Sequence, residues 1–479
     1  MDELRQNQPQ QDYQIPQHMP EVAPVMPGAT MPKTKKSKAK FVIIGVVAFL
    51  VVLAIAASVL LFVIKPFDKK DGENKEEEQV VQIEQTEKIF KLGMVPVAID
   101  DKWGFADESG EVVIEAQFDY VEPFNETTGL ALVAEADEDY WYHYGFIDKE
   151  GNMVIDIQFD VASSFADNGL AAVGVKDEGE DYKYTYGYIN TKGEYSIKPQ
   201  FDWADEFNSR GIAEIGQGDK YGLINADGKY IVNAKYDSLN GFDDGGLIVA
   251  SKGGKWGYIN EKDETVIDFI FDDAYVFSNG FAAVGIRDSS KQYGNIYGYI
   301  NESGELLIDY QFAYCSDFSS NGLAAVRLGE RWGYINTEGK FVINPQFDWA
   351  DEFDSNGLAR VTIDGDIGFI NASGEIVLSP EYGYIYEFSK LGYAVVEKYY
   401  EEDYRVEYGI INTKGEFIVE MGKYDHLSYD AYDDGFIFGV NMGEDDEYNC
   451  KLGILDAEGN VMIEAKFDAV IHYEEGGGC

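Results

Sequence analysis

From about residue 90 onward, short runs of apolar and aromatic residues alternate with polar turns. The segment RWGYINTEGKFVINPQFDWADEFDSNGLARV, residues 331–361, shows one period of this pattern. WGYIN and KFVIN are rich in aromatic and β-branched residues, which favour strands, and Asn336 and Gly339 take the first and fourth positions of a turn between them. These runs predict a β-hairpin, and GLARV, which follows an Asn-Gly pair, predicts a third strand.

The stretch QFDWADEF lies between the hairpin and the third strand. Asp348 is followed three residues later by Asp351, which resembles the N-cap and first-turn acids of a helix. Trp349 and Phe353 are four residues apart and would share one face of such a turn. The pattern therefore predicts a short helical turn in each unit.

The nonapeptide PQFDWADEF occurs twice, at residues 199–207 and 345–353. A repeat unit of this size has no core of its own and has to bury apolar area against its neighbours. Because large aromatic side chains are mostly buried in proteins, we expect Trp203 and Trp349 to be buried between units. The alternative is that these tryptophans stack on a ligand.

An aromatic or apolar residue followed by glycine recurs ten times, at intervals of 35 residues or of 41 to 44 residues. The pairs are Trp103-Gly104, Tyr144-Gly145, Tyr186-Gly187, Tyr221-Gly222, Trp256-Gly257, Tyr297-Gly298, Trp332-Gly333, Ile367-Gly368, Tyr408-Gly409 and Leu452-Gly453. A constant period with insertions of variable length indicates a repeat protein.

These features resemble the WG-repeat family of bacterial proteins, named for the Trp-Gly pair found here at 103, 256 and 332. The resemblance covers about residues 90–479 and includes Gly-Tyr-Ile-Asn, Gln-Phe-Asp and Gly-Leu-Ala-Ala-Val. Tyrosine replaces the tryptophan in five copies, and Ile367 and Leu452 replace it in two others. The resemblance implies an all-β repeat with binding or scaffolding roles and no shared catalytic residues.

We expect an all-β array of about ten units, each with three short strands and a helical turn. An elongated β-solenoid is favoured, because ten units exceed the usual four to eight blades of a propeller. A closed, propeller-like ring is the alternative, because the array begins with LGMVPVAID, residues 92–100, which looks like the third strand of an absent copy.

The N-terminal part predicts a membrane anchor. Residues 41–64, FVIIGVVAFLVVLAIAASVLLFVI, contain no charge and would form a helix of roughly 36 Å, enough to cross a bilayer. The five lysines between 33 and 40 place the N-terminus in the cytoplasm. We therefore predict a single-pass protein of the cell membrane with a disordered cytoplasmic tail (1–40), a transmembrane helix (41–64), a charged spacer (65–87) and an extracytoplasmic WG-repeat domain (88–479).

The charge balance narrows the range of partners. The chain has 87 acidic against 38 basic residues, and a surface this acidic repels phosphate backbones, so nucleic acid is excluded as a partner. A cell-envelope glycan or a protein partner fits better, and a scaffold for basic proteins is a rival hypothesis. The three cysteines show no metal-ligand spacing.

Five insertions fall between the third strand of one unit and the hairpin of the next, where insertions often form a binding face. They combine acidic residues with tyrosines. The candidate binding residues are Tyr140, Trp141, Tyr142, Tyr182, Tyr184, Tyr399 and Tyr400. The alternative is that these tyrosines only pair across longer hairpins.

We predict no enzyme activity and no cofactor. The chain has four histidines and none of the common catalytic or phosphate-binding motifs. Clusters such as Asp137-Glu138-Asp139 supply oxygen ligands of the kind that Ca²⁺ takes, but no stretch completes the spaced pattern of a helix-loop-helix calcium site, and no metal ligand is assigned. The predicted function is a non-catalytic, membrane-anchored binding or scaffold protein, with a carboxylate-dependent glycan hydrolase as the alternative.

Overall fold

The computed structural model describes residues 90–470, apart from gaps at 178, 180–182, 243–245, 289–293, 380–383, 401–403, 431–434 and 442–449. Within these ranges the chain forms 40 β-strands and no helix. In the same residues no segment qualifies as a helix able to span a membrane. The predicted tail, transmembrane helix and spacer, residues 1–87, lie outside the described residues.

The strands form ten sheets of four strands each. Sheet 1 contains β1 (Met94–Ile99), β2 (Lys102–Asp107), β3 (Val112–Phe118) and, from the end of the chain, β40 (Ala469–Val470). Sheet 2 contains β4 (Tyr120–Val121), β5 (Leu130–Ala136), β6 (Tyr142–Asp148) and β7 (Met153–Phe159). Sheet 3 contains β8 (Val161–Ala162), β9 (Leu170–Lys176), β10 (Tyr184–Asn190) and β11 (Tyr195–Phe201).

The next four sheets follow the same order of one short strand and three longer ones. Sheet 4 contains β12 (Trp203–Ala204), β13 (Ile212–Gln217), β14 (Lys220–Asn225) and β15 (Tyr230–Tyr236). Sheet 5 contains β16 (Ser238–Phe242), β17 (Leu247–Lys252), β18 (Lys255–Asn260) and β19 (Thr265–Phe271). Sheet 6 contains β20 (Asp273–Ala274), β21 (Ala282–Arg287), β22 (Asn295–Ile300) and β23 (Leu306–Phe312). Sheet 7 contains β24 (Tyr314–Cys315), β25 (Leu323–Leu328), β26 (Arg331–Asn336) and β27 (Phe341–Phe347).

The last three sheets complete the array. Sheet 8 contains β28 (Trp349–Ala350), β29 (Leu358–Ile363), β30 (Asp366–Asn371) and β31 (Ile376–Leu378). Sheet 9 contains β32 (Tyr384–Ile385), β33 (Tyr393–Tyr400), β34 (Arg405–Asn412) and β35 (Phe417–Val419). Sheet 10 contains β36 (His426–Asp430), β37 (Gly435–Asn441), β38 (Cys450–Leu455) and β39 (Val461–Phe467). Each sheet is antiparallel throughout, as the pairing of β28, β29, β30 and β31 shows.

The turn between the third and fourth strands has the chemistry that the sequence predicts. The side-chain Oδ1 of Asn336 accepts hydrogen bonds from the backbone N of Glu338 at 3.1 Å and of Lys340 at 3.0 Å. Gly339 has a φ of 74°, a conformation that glycine adopts without strain. The predicted hairpin is therefore confirmed.

The glycine of the Trp-Gly pair is needed because another strand passes close to it, and not because of its own backbone conformation. The ladder between β26 and β27 shifts register on both sides of Tyr334, which marks a β-bulge. A Cβ on Gly333 would lie 2.6 Å from the carbonyl oxygen of Ile343 and 2.7 Å from the nitrogen of Pro345. Only glycine leaves room for the neighbouring backbone here.

Each sheet packs face to face on the next through an apolar cluster. Between sheets 7 and 8, for example, Trp332, Tyr334 and Ile343 pack with Phe353 and Val361. Tyr334 also donates its hydroxyl to the backbone oxygen of Asp351 in sheet 8, at 2.8 Å. The recurring aromatic residue after the Trp-Gly pair thus joins consecutive sheets.

The array closes into a ring. Val97 of β1 pairs with Val470 of β40, so the two ends of the repeat domain share one sheet. Val97 and Val95 also belong to an apolar cluster with Ile463 and Phe467 of sheet 10. The described residues thus contain ten clusters for ten sheets, whereas an open array of ten sheets would have nine interfaces.

The domain is a ten-bladed β-propeller, so the favoured prediction of a solenoid was wrong and its alternative, the closed ring, fits. The prediction of three strands per unit was also wrong, because each blade has four. The missed strand is the short one that begins each blade from sheet 2 onward, of which Trp349–Ala350 is an example.

The predicted helical turn at QFDWADEF is this short strand, and its aspartate is not an N-cap. In the blade that starts at Asp272, the carboxylate accepts hydrogen bonds from Lys255 Nζ of sheet 5 at 2.6 Å and from the backbone N of Arg287 in sheet 6 at 2.9 Å. Lys255 is the main group that lowers the pKa of Asp272. The same position, Asp468, bonds the backbone N of Asp100 at 2.8 Å across the closure of the ring.

Replacing Asp272 with alanine is expected to destabilise the domain by about 1–2 kcal/mol, because it removes two hydrogen bonds, and the one from Lys255 joins adjacent blades. Guanidinium unfolding of the variant measures the loss. The exposed Asp227, which pairs only with Lys229 at 3.5 Å, provides the control, and Asp227→Ala should change stability by less than about 0.5 kcal/mol. Equal effects of the two substitutions would contradict the joining role.

Candidate functional site

The repeated tryptophans are not buried as predicted. Trp203 is 39% exposed and Trp349 is 50% exposed. Each is the first residue of a two-residue strand, in which successive side chains point to opposite faces, and the buried face is taken by Ala204 and Ala350. The prediction failed because it assumed a helical turn, in which Trp349 would share a face with Phe353.

Trp349 ends a continuous row of aromatic rings that crosses sheets 6, 7 and 8. The successive ring centroids are 6.1 Å apart from Tyr275 to Tyr297, 6.1 Å from Tyr297 to Tyr314, 5.9 Å from Tyr314 to Trp332 and 5.0 Å from Trp332 to Trp349. We call these five residues the aromatic row.

Buried and exposed rings alternate along the aromatic row. Tyr297 and Trp332, at the position before the repeated glycine, are buried. Tyr275, Tyr314 and Trp349 rest on them and are between 39% and 51% exposed. Aromatic residues at this spacing present a rigid surface with an apolar face and polar edges.

The predicted binding residues fall into two groups, and the first spans sheets 2 and 3. Tyr140, at the tip of the β5–β6 hairpin, is 87% exposed. Trp141 is exposed beside it, with Lys176 Nζ of sheet 3 at 5.6 Å from the centre of its ring. The Tyr142 ring lies 6.4 Å from Tyr144, and the Tyr184 ring lies 6.4 Å from Tyr186.

The second group lies on the β33–β34 hairpin of sheet 9. Tyr399 is exposed, and Tyr400 donates its hydroxyl to Glu407 at 2.9 Å beneath the Arg405 guanidinium, which is 4.5 Å from its ring. Tyr182 lies outside the described residues. The insertions extend the hairpin between the second and third strands of a blade, as the sequence predicts once the units are redrawn as four-stranded blades.

A pocket of ≈ 480 Å³ lies where sheets 8, 9 and 10 meet. Its lining is Arg360, Tyr384, Tyr386, Glu387, Val395, His426, Leu427, Ser428 and Tyr429. A second pocket of ≈ 390 Å³ shares Arg360 and Glu387 with it and reaches Asp351 and Glu352. The two form one cleft beside the end of the aromatic row.

Arg360 organises this cleft. Its Nε donates to Asp351 at 2.6 Å, its Nη1 donates to the hydroxyl of Tyr384 at 3.2 Å, and its Nη2 is 3.9 Å from Glu387. Trp349 Nε1 donates to the other oxygen of Asp351 at 2.6 Å. The last ring of the aromatic row is thus tied to the wall of the pocket through a single carboxylate.

Three carboxyl groups near the short strands, two in the loops that follow them and one in β13, have raised pKa values. Glu206 lies near Glu122, and burial and this like charge raise its pKa. Burial raises the pKa of Glu214 to about 7, with Asp205 adding to the effect, and burial together with Glu352 raises the pKa of Asp317 to about 6. Carboxyl groups near neutral pKa can serve as proton donors.

Glu214 should make the domain less stable as the pH rises. Because its folded pKa lies above its ordinary value of 4.5, the folded state holds a proton that the unfolded state releases between about pH 4.5 and 7. Glu214→Gln is therefore expected to stabilise the domain by about 1–3 kcal/mol at pH 8 and to have little effect at pH 4. Denaturant unfolding at both pH values measures this, with the exposed Glu126→Gln as the control. A gain that is equal at pH 4 and pH 8 would contradict the assignment.

In the described residues no group of three or more His, Cys, Asp or Glu side chains is placed to hold a metal ion. The cluster Asp137-Glu138-Asp139 is instead a turn, in which Asp137 Oδ1 accepts the backbone N–H groups of Asp139 at 2.8 Å and Trp141 at 3.0 Å.

The prediction from sequence missed the aromatic row and the pocket. The sequence does contain a signal for the aromatic row. It is an aromatic residue directly before the buried small residue of the short strand, as in Trp349-Ala350 and Tyr314-Cys315. Once that pair is taken as a strand, its aromatic side chain has to lie on the open face.

A comparison with family models gives ten matches to the WG containing repeat. They cover residues 103–136, 144–177, 186–221, 221–256, 256–288, 297–332, 332–365, 367–400, 408–443 and 453–476. No curated protein sequence matches the chain.

The solved structures that match the chain include three with low sequence identity. A eukaryotic initiation factor is 10% identical, with 79% of this chain and 96% of that chain covered and a TM-score of 0.45. A puromycin hydrolase is 10% identical, with 64% and 53% covered and a TM-score of 0.29. The tricorn protease is 12% identical, with 77% and 44% covered and a TM-score of 0.20. On the ten family matches, which span most of its length, the chain belongs to the WG-repeat family.

Proposed function

We propose that this protein is a non-catalytic binding protein of the cell membrane whose propeller holds a neutral glycan of the cell envelope. The observation that carries the proposal is the aromatic row, in which three exposed rings lie against two buried ones without a break across three sheets. Exposed apolar surface of this extent marks binding sites. Rings that are held in place by buried neighbours lose little conformational freedom when they bind a ligand.

The charge of the chain argues against an anionic ligand. The chain carries a formal charge of −49, which repels anionic polymers and attracts basic ones. A basic protein partner therefore remains the rival binding proposal. It predicts binding that weakens as salt is added, whereas stacking of sugar rings on aromatic side chains depends little on salt.

The location outside the membrane rests on two features. The uncharged segment 41–64 and the lysines before it favour a helix that spans the membrane with the propeller on the extracytoplasmic side. Protease accessibility of the propeller in intact cells, against its protection in inverted membrane vesicles, tests this orientation.

The main test is co-sedimentation of the full-length protein, kept in detergent, with isolated bacterial cell wall. Binding should fall at least tenfold in a Tyr314→Ala, Trp349→Ala variant, because two exposed rings of the row are lost. Tyr195→Ala, an exposed tyrosine in the fourth strand of sheet 3, should bind like the unaltered protein. Loss of binding only in a Trp141→Ala, Tyr399→Ala variant would place the site on the inserted hairpins instead.

The carboxyl groups with raised pKa favour one second candidate, a glycan hydrolase. Glu214 would act as the proton donor in a pocket of ≈ 180 Å³ that it lines together with Asp205 and Glu206. Release of soluble sugars from the sedimented wall, lost in Glu214→Gln, would support this candidate. Binding without any release supports the non-catalytic function.

A further inference from the structure

Two tyrosines take backbone positions that favour glycine. Tyr140, at the tip of the β5–β6 hairpin, has a φ of 63°, and Tyr404, in the turn of the β33–β34 hairpin, has a φ of 61°. This left-handed conformation is strained for a bulky residue, because the Cβ lies close to the following carbonyl oxygen. In the corresponding hairpins without insertions, the left-handed positions hold only glycine or aspartate. They are Asp100, Asp101, Gly218, Gly253, Gly254, Gly329, Asp364 and Gly365.

The side chains of these two tyrosines do not stabilise the fold. Tyr140 is 87% exposed and Tyr404 is 80% exposed, more than any other large apolar or aromatic side chain in the described part of the chain. Rings this exposed bury too little area to offset the strain of the backbone, which glycine would relieve. Strained residues occur at functional sites, and exposed tyrosines on hairpins and loops are common contacts for a partner.

The β33–β34 hairpin shows which chemical group such a ring holds. The Arg405 guanidinium lies 4.5 Å from the centre of the Tyr400 ring and pairs with Glu407. The Tyr400 hydroxyl donates to the same carboxylate at 2.9 Å, and Lys398 Nζ lies 5.3 Å from the ring. A tyrosine beside a carboxylate therefore holds a cation, which is attracted both to the face of the ring and to the negative charge.

The same combination of ring and carboxylate is open to solvent at the tips. Glu138 and Asp139 directly precede Tyr140 and are exposed, and the two residues before Tyr404 are also acidic in the sequence. Among the described residues no cation lies over either tip ring. The formal charge of −49 adds a general attraction for basic partners.

We propose that these two hairpin tips form an interaction surface for a protein partner that presents lysine or arginine side chains. A basic side chain of the partner lies over the Tyr140 or Tyr404 ring and pairs with the carboxylates beside it. Every sheet has the same strand order, so both hairpins lie at the same end of the ring and face a partner from the same side. The surface lies outside the aromatic row, and the inference does not rest on the proposed function.

The test is binding of a fluorescent decaarginine peptide to the full-length protein in detergent, followed by polarisation at about 0.15 M salt. Replacing both tyrosines together, Tyr140→Gly and Tyr404→Gly, should weaken binding at least about fivefold, because two rings that stack on guanidinium groups are lost. The exchange alters no charge, so general attraction to the acidic chain cannot explain such a loss. Tyr140→Phe with Tyr404→Phe keeps both rings and should retain the affinity. Tyr195→Ala, an exposed tyrosine in the fourth strand of sheet 3, is the control and should also retain it.

Stability provides a second measurement. The glycine variant should unfold in guanidinium at an unchanged or higher midpoint, because glycine adopts a positive φ without strain. A clearly lower midpoint would mean that the tyrosines stabilise their hairpins, which contradicts the inference.

The binding outcomes separate this inference from the proposed function. Unchanged peptide affinity in the glycine variant, or an equal loss in the phenylalanine variant, would overturn the role of the tip rings and leave the aromatic row unaffected. The glycine variant should still sediment with cell wall. Loss of wall binding with normal peptide binding would assign the tips to the glycan instead and would also overturn the inference.

Discussion

Replacing Gly333 with alanine is expected to destabilise the propeller by about 3–5 kcal/mol, at the upper end of what single substitutions do. The added Cβ would lie 2.6 Å from the carbonyl oxygen of Ile343 and 2.7 Å from the nitrogen of Pro345. Both are backbone atoms of β27, so no side chain can rotate away to relieve the contact. The strand has to move, and β27 also supplies Ile343 and Phe347 to the interface with sheet 8.

Guanidinium unfolding, followed by tryptophan fluorescence, measures this loss. Gly357→Ala is the matched control, because Gly357 lies in an open loop with φ of 76° and no atom within 4 Å of an added Cβ. Its cost is only that of placing alanine in a left-handed conformation, about 1–2 kcal/mol. A Gly333→Ala variant that unfolds at the same midpoint as Gly357→Ala would contradict this explanation. The close approach of the backbone would then not be the reason for the repeated glycine.

Features set by neighbouring residues could be predicted from the sequence. The Asn336–Gly339 turn depends on side-chain to backbone hydrogen bonds that span four residues, and the strand that follows it, β27, alternates in burial. The repeat period in the sequence corresponds to one blade of the propeller. The boundary of the blade was misplaced because the short strand has only two residues in eight of the ten blades, too few for any alternation to be visible.

Closure of the ring could not be predicted, because it depends on residues at opposite ends of the domain. Nothing local to LGMVPVAID shows that β1 lies beside β40. An incomplete first unit is compatible both with the capped end of a solenoid and with the closure of a propeller. The same holds for the site: Tyr275 and Trp349 are far apart in the chain. Their row exists only because sheets 6, 7 and 8 place two, two and one of its rings next to one another.

Placing a charge at the closure is the second substitution with a large expected effect. Val470→Asp is expected to destabilise the whole propeller by about 3–5 kcal/mol or more, because Val470 is fully buried and a buried unpaired carboxylate has no compensating partner. Val470 pairs with Val97 and contributes to the cluster that joins sheet 10 to sheet 1. In a closed ring each blade packs against a neighbour on both sides. Loss of packing at this one interface therefore lowers the stability of all ten blades.

Val121→Asp gives the comparison that distinguishes a ring from an open array. Val121 has the same place in the short strand of sheet 2 and is equally buried, but its neighbours are continuous in sequence. In a closed ring the two substitutions should lower the guanidinium midpoint by similar amounts, and Val461→Asp, on the exposed face of β39, should change it little. In an open array Val470 would sit at a free end, where only the last unit frays. A Val470→Asp variant with a nearly unchanged midpoint, beside a strongly destabilised Val121→Asp variant, would therefore contradict closure.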